Sequence, residues 1–198
     1  MLVRQADDPN LFDLMQEKNL LRQYDYLLNC IEIGIQKGPA AFDKYFLWSL
    51  NHIAVANISE CGGRFRKEPI YVGSHIPPHY ADVHDLMDRF VSFVHENWFV
   101  LTPTQLASYG IWRLNWIHPF VEGNGRTARA VCYYLLCVRS GALLSGRRIV
   151  PERIRESRWS YVQALRSADA AWVAGHYDLT EMDQYLAELV EAQLLDAT

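Results

Sequence analysis

Apolar residues return every three or four positions along most of this chain, the spacing that gathers them on one face of a helix. Read this way, the sequence predicts helices over 11–16, 20–36, 40–57, 80–98, 103–117, 123–139, 157–174 and 180–195, hence a mainly α fold class. Pro39 and Pro103 stand where helices should start, because proline's missing N–H costs nothing in a first turn. Gly141 and Gly175 stand where helices should stop. One stretch breaks the period. Residues 62–78 carry glycines, the β-favouring run Ile70, Tyr71 and Val72, then Gly73, and end on Pro77 and Pro78, which predicts a short extended pair or hairpin between helices.

Composition changes this picture little. With 198 residues, 50% of them hydrophobic and 13% aromatic, the chain can bury a sizeable core as one compact domain over 1–198. No repeat, low-complexity tract or long linker divides it. The net charge of −4 argues against general affinity for nucleic acid, so the basic groups that matter are local ones. No apolar run reaches membrane-spanning length and the polar N-terminus does not read as a signal peptide, so no membrane association is expected. Cys30, Cys61, Cys132 and Cys137 lack zinc spacing. Cys132 and Cys137 fall inside an apolar helix pattern, as buried thiols would in a reducing cytoplasm, with a secreted effector left open.

Chemistry concentrates in residues 118–129, between the predicted helices 103–117 and 123–139. Gly123 and Gly125 allow a tight turn and close approach to a ligand, and the free N–H groups opening the second helix form an anion nest. Arg126 and Arg129, three apart, project from one helix face, and guanidinium forks suit phosphate oxygens. Glu122 is a hard-oxygen ligand suited to Mg²⁺. His118, ordinarily titrating near pH ~6.5, can take a proton from a hydroxyl. Any one of these is commonplace; all of them in order point to phosphoryl or nucleotidyl transfer.

The segment resembles the signature of the Fic (filamentation induced by cAMP) domain family, His-x-Phe-x-Asp/Glu-Gly-Asn-Gly-Arg-x-x-Arg. His118, Phe120, Glu122, Gly123, Asn124, Gly125, Arg126 and Arg129 fill every specified position. The resemblance is strongest over 40–189 and leaves the first residues as an N-terminal helical extension. It implies a helical bundle around a central signature helix–loop–helix with a small β-hairpin flap, and a protein adenylyltransferase (AMPylator) that moves AMP from ATP to a Tyr, Thr or Ser hydroxyl of a target protein. His118 would then be the base and Glu122 the Mg²⁺ ligand. Gly123, Asn124 and Gly125 would cradle the phosphates, Arg126 and Arg129 would grip the distal ones, and Phe120 would pin the loop. Residues 62–78, with Ile70, Tyr71, Val72 and Gly73, look like the family's flap, which aligns the target by strand addition.

Alternatives stay open at this level. Phosphorylation or removal of AMP on the same fold is one, although phosphorylating relatives depart from the Gly-Asn-Gly-Arg region and this chain does not. A nucleotide-binding regulatory module is another, against which stands the intact base. Many family members carry an inhibitory helix, Ser/Thr-x-x-x-Glu-Gly/Asn, whose Glu pairs with the second signature arginine. The match here, Ser92 with Glu96 and Asn97, lies after the flap and is read as coincidence, which implies a separate antitoxin-like inhibitor or another restraint. A homo-oligomer is left open. His75, His79 and His84 read as surface histidines, the six tryptophans as core, and Tyr161 and Leu165 as resembling a helix that borders the nucleotide in some members.

Overall fold

The computed structural model describes residues 2–5, 7–73 and 75–197; Met1 and Ala6 of the N-terminus, Ser74 of the expected hairpin and Thr198 lie outside the described residues. Among the described residues the chain is helical: α1 (Pro9–Lys37), α2 (Lys44–Ala54), α3 (Val83–Glu96), α4 (Pro103–Ile117), α5 (Asn124–Ser140), α6 (Val150–Glu156), α7 (Arg158–Val173) and α8 (Thr180–Leu195). Short 3-10 turns at Gly38–Ala41 and Tyr80–Asp82 lead into α2 and α3. No helix is long and apolar enough to cross a membrane among these residues.

The caps explain several boundaries. Asp8 caps α1 by accepting from the Leu11 N–H, with Pro9 in the first turn. Asp43 does the same for α2 through the Phe46 N–H, which is why that helix starts after Pro39 rather than at it. Thr102 and Gln105 form a reciprocal capping box around Pro103 at the head of α4.

Two differences from the sequence pattern have physical causes. The expected helices 11–16 and 20–36 are one helix, α1. The apparent break at 17–19 is the polar run Glu17, Lys18 and Asn19; Asn19 lies on the buried face and donates to the Ala56 carbonyl, so the helix runs through it, and Gln23, one turn on, donates likewise to the Leu50 carbonyl. Helix α6 went unpredicted because seven residues are too few to show a period.

Helices α4 and α5 form the centre. Residues Leu106 to Leu114 of α4 are buried without a gap, and α5 is buried on nearly every face, as expected of helices enclosed by others. Their axes approach closely at Gly110, where a Cβ would lie 2.7 Å from a Leu135 methyl. Helices α1 and α2 pack against α5, α3 and α8 pack against α4, and α7 lies against α8 and α4. Cys132 and Cys137 are buried, but the tryptophans are not uniformly core: Trp98 and Trp112 are buried, whereas Trp159 is 75% exposed on α7. The hairpin has shrunk to a single antiparallel bridge between Val72 and His75, beside Gly73 at φ 58°.

Candidate active site

Helix α4 ends on His118, whose left-handed backbone (φ 50°, ψ 60°) turns the chain sharply while its N–H still bonds the Leu114 carbonyl. Such a conformation disfavours a side chain bearing Cβ. The imidazole is fixed by Nδ1–H donating to the Asn115 carbonyl at 3.2 Å, which leaves the Nε2 lone pair available. Burial pushes its pKa down to about 4 against the upward pull of that bond, with His75 and Arg66 lowering it further. His118 is thus a neutral imidazole at pH 7.

From there the chain folds into a short loop. Phe120 is buried against Phe65 with ring centroids 5.5 Å apart, as the resemblance implied. Asn124 closes the loop on itself, its Nδ2 donating to the Phe120 carbonyl and its Oδ1 accepting from the Phe120 N–H. The Asn124 amide is therefore committed within the loop, and only its backbone N–H can face a ligand. Gly123 sits at φ 78°, and a Cβ there would lie 2.6 Å from a Val55 methyl. It opens α5 without a side-chain cap, so the first-turn N–H groups are uncapped.

Arg126 and Arg129 enter the same cleft of about 430 Å³ together with His118, Glu122, Gly123 and Gly125. Arg126 is held by donating to the Ala54 carbonyl at 2.6 Å. Arg129 has no described carboxylate partner, and its pKa is lowered by burial, with Arg155, Arg126 and Arg158 nearby. A mostly buried cation among other cations creates a strong local demand for an anion.

Glu122 presents an exposed carboxylate beside Arg126, while its carbonyl accepts from Asn51. No cluster of three His, Cys, Asp or Glu side chains forms a metal site among the described residues. One exposed carboxylate at the mouth of an anion nest nonetheless fits Mg²⁺, which takes one or two carboxylates plus substrate phosphates and water.

His118 also lines a second cleft, of about 900 Å³. Val72 and Gly73 of the 62–78 segment line it, as do Leu165 and Asp169 of α7. The other two expected flap residues stand apart from its lining: Ile70 is half-buried and Tyr71 is 81% exposed. Tyr161 is buried and its hydroxyl oxygen accepts from Asn115 Nδ2 at 2.8 Å. His75 is not a plain surface residue. Its Nε2–H donates to the Trp116 carbonyl at 2.8 Å, and its Nδ1 lies 3.9 Å from the Asp169 carboxylate.

Residues outside the signature also contribute. Asn51, fully buried on α2, donates to the Glu122 carbonyl and to Thr127 Oγ1 and accepts from the Gly63 N–H. Its place on the apolar stripe Leu47, Leu50, Asn51, Ala54 was an available signal. Gln16 and Glu17 of α1 line the cationic cleft, and nothing local in the sequence indicates that. Glu96, by contrast, is exposed on α3 and lines neither cleft.

Comparison with known proteins agrees with this geometry. The Fic/DOC family profile matches residues 41–136, which include α2, α3, α4, the loop and most of α5. Residues 41–136 are a Fic/DOC family domain. A relative named protein adenylyltransferase Fic, from Culex quinquefasciatus, is 36% identical over 129 residues. That match covers 63% of this chain but only 25% of the relative, so the chain spans about a quarter of that protein's length. Among solved structures, Caenorhabditis elegans Fic-1 (aa134–508) aligns with a TM-score of 0.70 at 23% identity, covering 91% of this chain and 50% of that one. A Fic domain-containing signaling protein from Bacteroides thetaiotaomicron aligns with a TM-score of 0.73 at 20% identity, covering 91% and 71%. At these identities the structures speak to the Fic fold alone.

Proposed function

We propose that this chain is a protein adenylyltransferase, with MgATP as donor and a hydroxyl side chain of another protein as acceptor. The observation that carries the reading is the position of His118, a neutral imidazole lining both clefts, one cationic and one bordered by the flap. Phosphates belong in the first, against the α5 N–H groups, Arg126 and Arg129. A target segment and the nucleoside belong in the second. The target O–H gives its proton to His118 Nε2 as the oxygen forms a bond to the α-phosphorus. The bond between that phosphorus and the oxygen bridging to the β-phosphate breaks, and pyrophosphate leaves. Glu122 would hold Mg²⁺, whose positive charge would offset charge on the phosphate oxygens. Residues 1–198 would then act as one such domain, with α1 as its N-terminal helical extension.

The test is label transfer from ATP to protein in a lysate. Label should pass from α-labelled ATP, while γ-label should leave in pyrophosphate. His118→Ala should lower transfer by roughly 10²–10⁴-fold, the usual cost of losing a general base. Transfer of γ-label would replace adenylylation with phosphorylation, and undiminished transfer by His118→Ala would remove the base from the scheme.

A further inference from the structure

We infer that Arg66 is a positioning residue that locks the flap and His118 to each other. The inference rests on the reading of His118 as the base. Arg66 is 3% exposed and sits within the 62–78 segment, ahead of its Val72–His75 bridge, where no ion pair holds it among the described residues. Its guanidinium is instead spent on backbone carbonyls. Nε donates to the His118 carbonyl at 2.8 Å and Nη2 to that of Ile117 at 3.3 Å. The same Nη2 donates to Pro78 at 2.6 Å, and Nη1 donates to Glu68 at 3.2 Å.

These four acceptors form two pairs with different meanings. Ile117 and His118 are the last carbonyls of α4, where a cation meets the negative end of the helix. Glu68 and Pro78 flank the Val72–His75 bridge, one at each root of the flap. The Arg66 backbone adds a bond from its N–H to the Pro119 carbonyl at 2.8 Å, and the neighbouring Phe65 bridges to Phe120. One planar side chain therefore sets both the peptide of the base and the two ends of the segment bordering the target cleft.

The chemistry of the side chain explains why arginine is needed. Its five donors lie in one plane and diverge, so they can serve carbonyls from two chain segments at once. Lysine brings the same charge but three donors on one nitrogen, which cannot span the two pairs. The His118 carbonyl is the critical acceptor, because His118 holds a left-handed backbone that its own Cβ disfavours. Releasing that carbonyl lets the peptide relax and the imidazole drift. A displacement near 1 Å can cost about 10²-fold in rate.

The test uses the whole chain with Arg66→Lys, and with Arg66→Met where that variant folds. In Arg66→Lys, the Val72 and His75 amides should exchange hydrogen about tenfold faster, as lost anchoring bonds permit, while α4–α5 core amides keep their protection. Transfer at saturating MgATP should fall by about 10²-fold, with a higher KM for the target protein. MgATP affinity, compared in a His118→Ala background to stop turnover, should stay within about twofold, since Arg66 does not line the phosphate cleft. In Arg66→Met the His118 ring should titrate at a higher pH by NMR, because a nearby cation has gone. Unchanged flap exchange in Arg66→Lys overturns the inference whatever the activity does. So does faster flap exchange with wild-type transfer, or a loss of transfer matched by an equal loss of MgATP affinity. Wild-type transfer by His118→Ala alone would remove the base assignment, while the exchange arm would still decide whether Arg66 clamps the flap.

Discussion

Replacing Gly123 with alanine should damage the fold and the cradle together, by an amount the structure lets one assemble. Two separate costs arise. At φ 78° any residue with a Cβ is strained, by about 1–2 kcal/mol. The new methyl carbon would also stand 2.6 Å from Val55 Cγ1 and 3.0 Å from Asn51 Nδ2, both belonging to fully buried side chains with nowhere to go. Overpacking of that kind typically costs about 1–3 kcal/mol. The sum is roughly 2–5 kcal/mol, a large share of the ~5–15 kcal/mol that holds a typical protein folded. Because Asn51 also bonds the Glu122 carbonyl and Thr127, its displacement would disturb the mouth of the anion nest as well.

Urea unfolding followed by tryptophan fluorescence measures the first effect, and MgATP titration the second. With a slope near 2 kcal/mol per M, the midpoint should fall by about 1–2.5 M. Gly125→Ala is the matched control. Its nearest contact would be 3.4 Å, to the flexible tip of Arg129, and its backbone needs no left-handed turn. Its stability should stay within about 0.5 kcal/mol of the parent chain. A parental midpoint in Gly123→Ala, or equal losses at the two glycines, would refute the reasoning.

With the His118 pKa lowered to about 4, transfer should hold steady down through pH 6.5 and fall only as pH nears 4; an inflection between 6 and 7 in the rate profile would contradict a buried, neutral base. The same site should affect folding: an unfolded histidine protonates near pH ~6.5 and the folded one only near 4, so its stabilising share is full above 6.5 and declines as pH falls between these values, measurable by urea midpoints. Glu17→Gln should tighten MgATP binding and speed transfer, because Glu17 puts a negative charge into the cleft of Arg126 and Arg129, whereas Glu96→Gly should leave activity as it was; calorimetry and label transfer would refute this if Glu17→Gln binds no better. Glu122→Gln keeps the shape of the side chain and removes its charge, so it should raise the Mg²⁺ concentration needed for half-maximal transfer, and an unchanged Mg²⁺ requirement would remove Glu122 as the ligand.

What could be read from the sequence was set by distance along the chain. The loop from His118 to Arg129 was legible because twelve consecutive residues carry their own geometry: a helix end, a tight turn at Gly123, and a new helix whose first two turns bear both arginines. The central helices were legible too, since α4 and α5 are long and apolar. Asn51 and Arg66 were not, because each reaches α4 or the signature loop and helix from 51 to 76 positions away, through bonds only the folded chain can form. The same holds for Glu17, which α1 carries over the cleft from a hundred residues upstream. Asn19 works in the opposite direction: a buried polar residue satisfied by a carbonyl of another segment reads as part of a break in a helix that has none.

The charge balance ties the site to its proposed substrate more closely than the signature does alone. The chain as a whole is negative, at −4, yet its cationic cleft gathers Arg126, Arg129 and Arg155 around uncapped helix N–H groups. A folded protein does not keep a mostly buried guanidinium such as Arg129 among other guanidiniums for stability, since each is desolvated and repelled by the rest. The arrangement becomes favourable only when a multiply charged anion enters, and then the desolvation already spent strengthens every contact made to it. Glu17 and Glu122 stand at this cleft as the carboxylates that an incoming triphosphate must displace or bridge through a cation. The two roles are opposite, and they follow from position: Glu122 lies in the loop that opens the nest, whereas Glu17 reaches it from a helix that belongs to the other end of the chain.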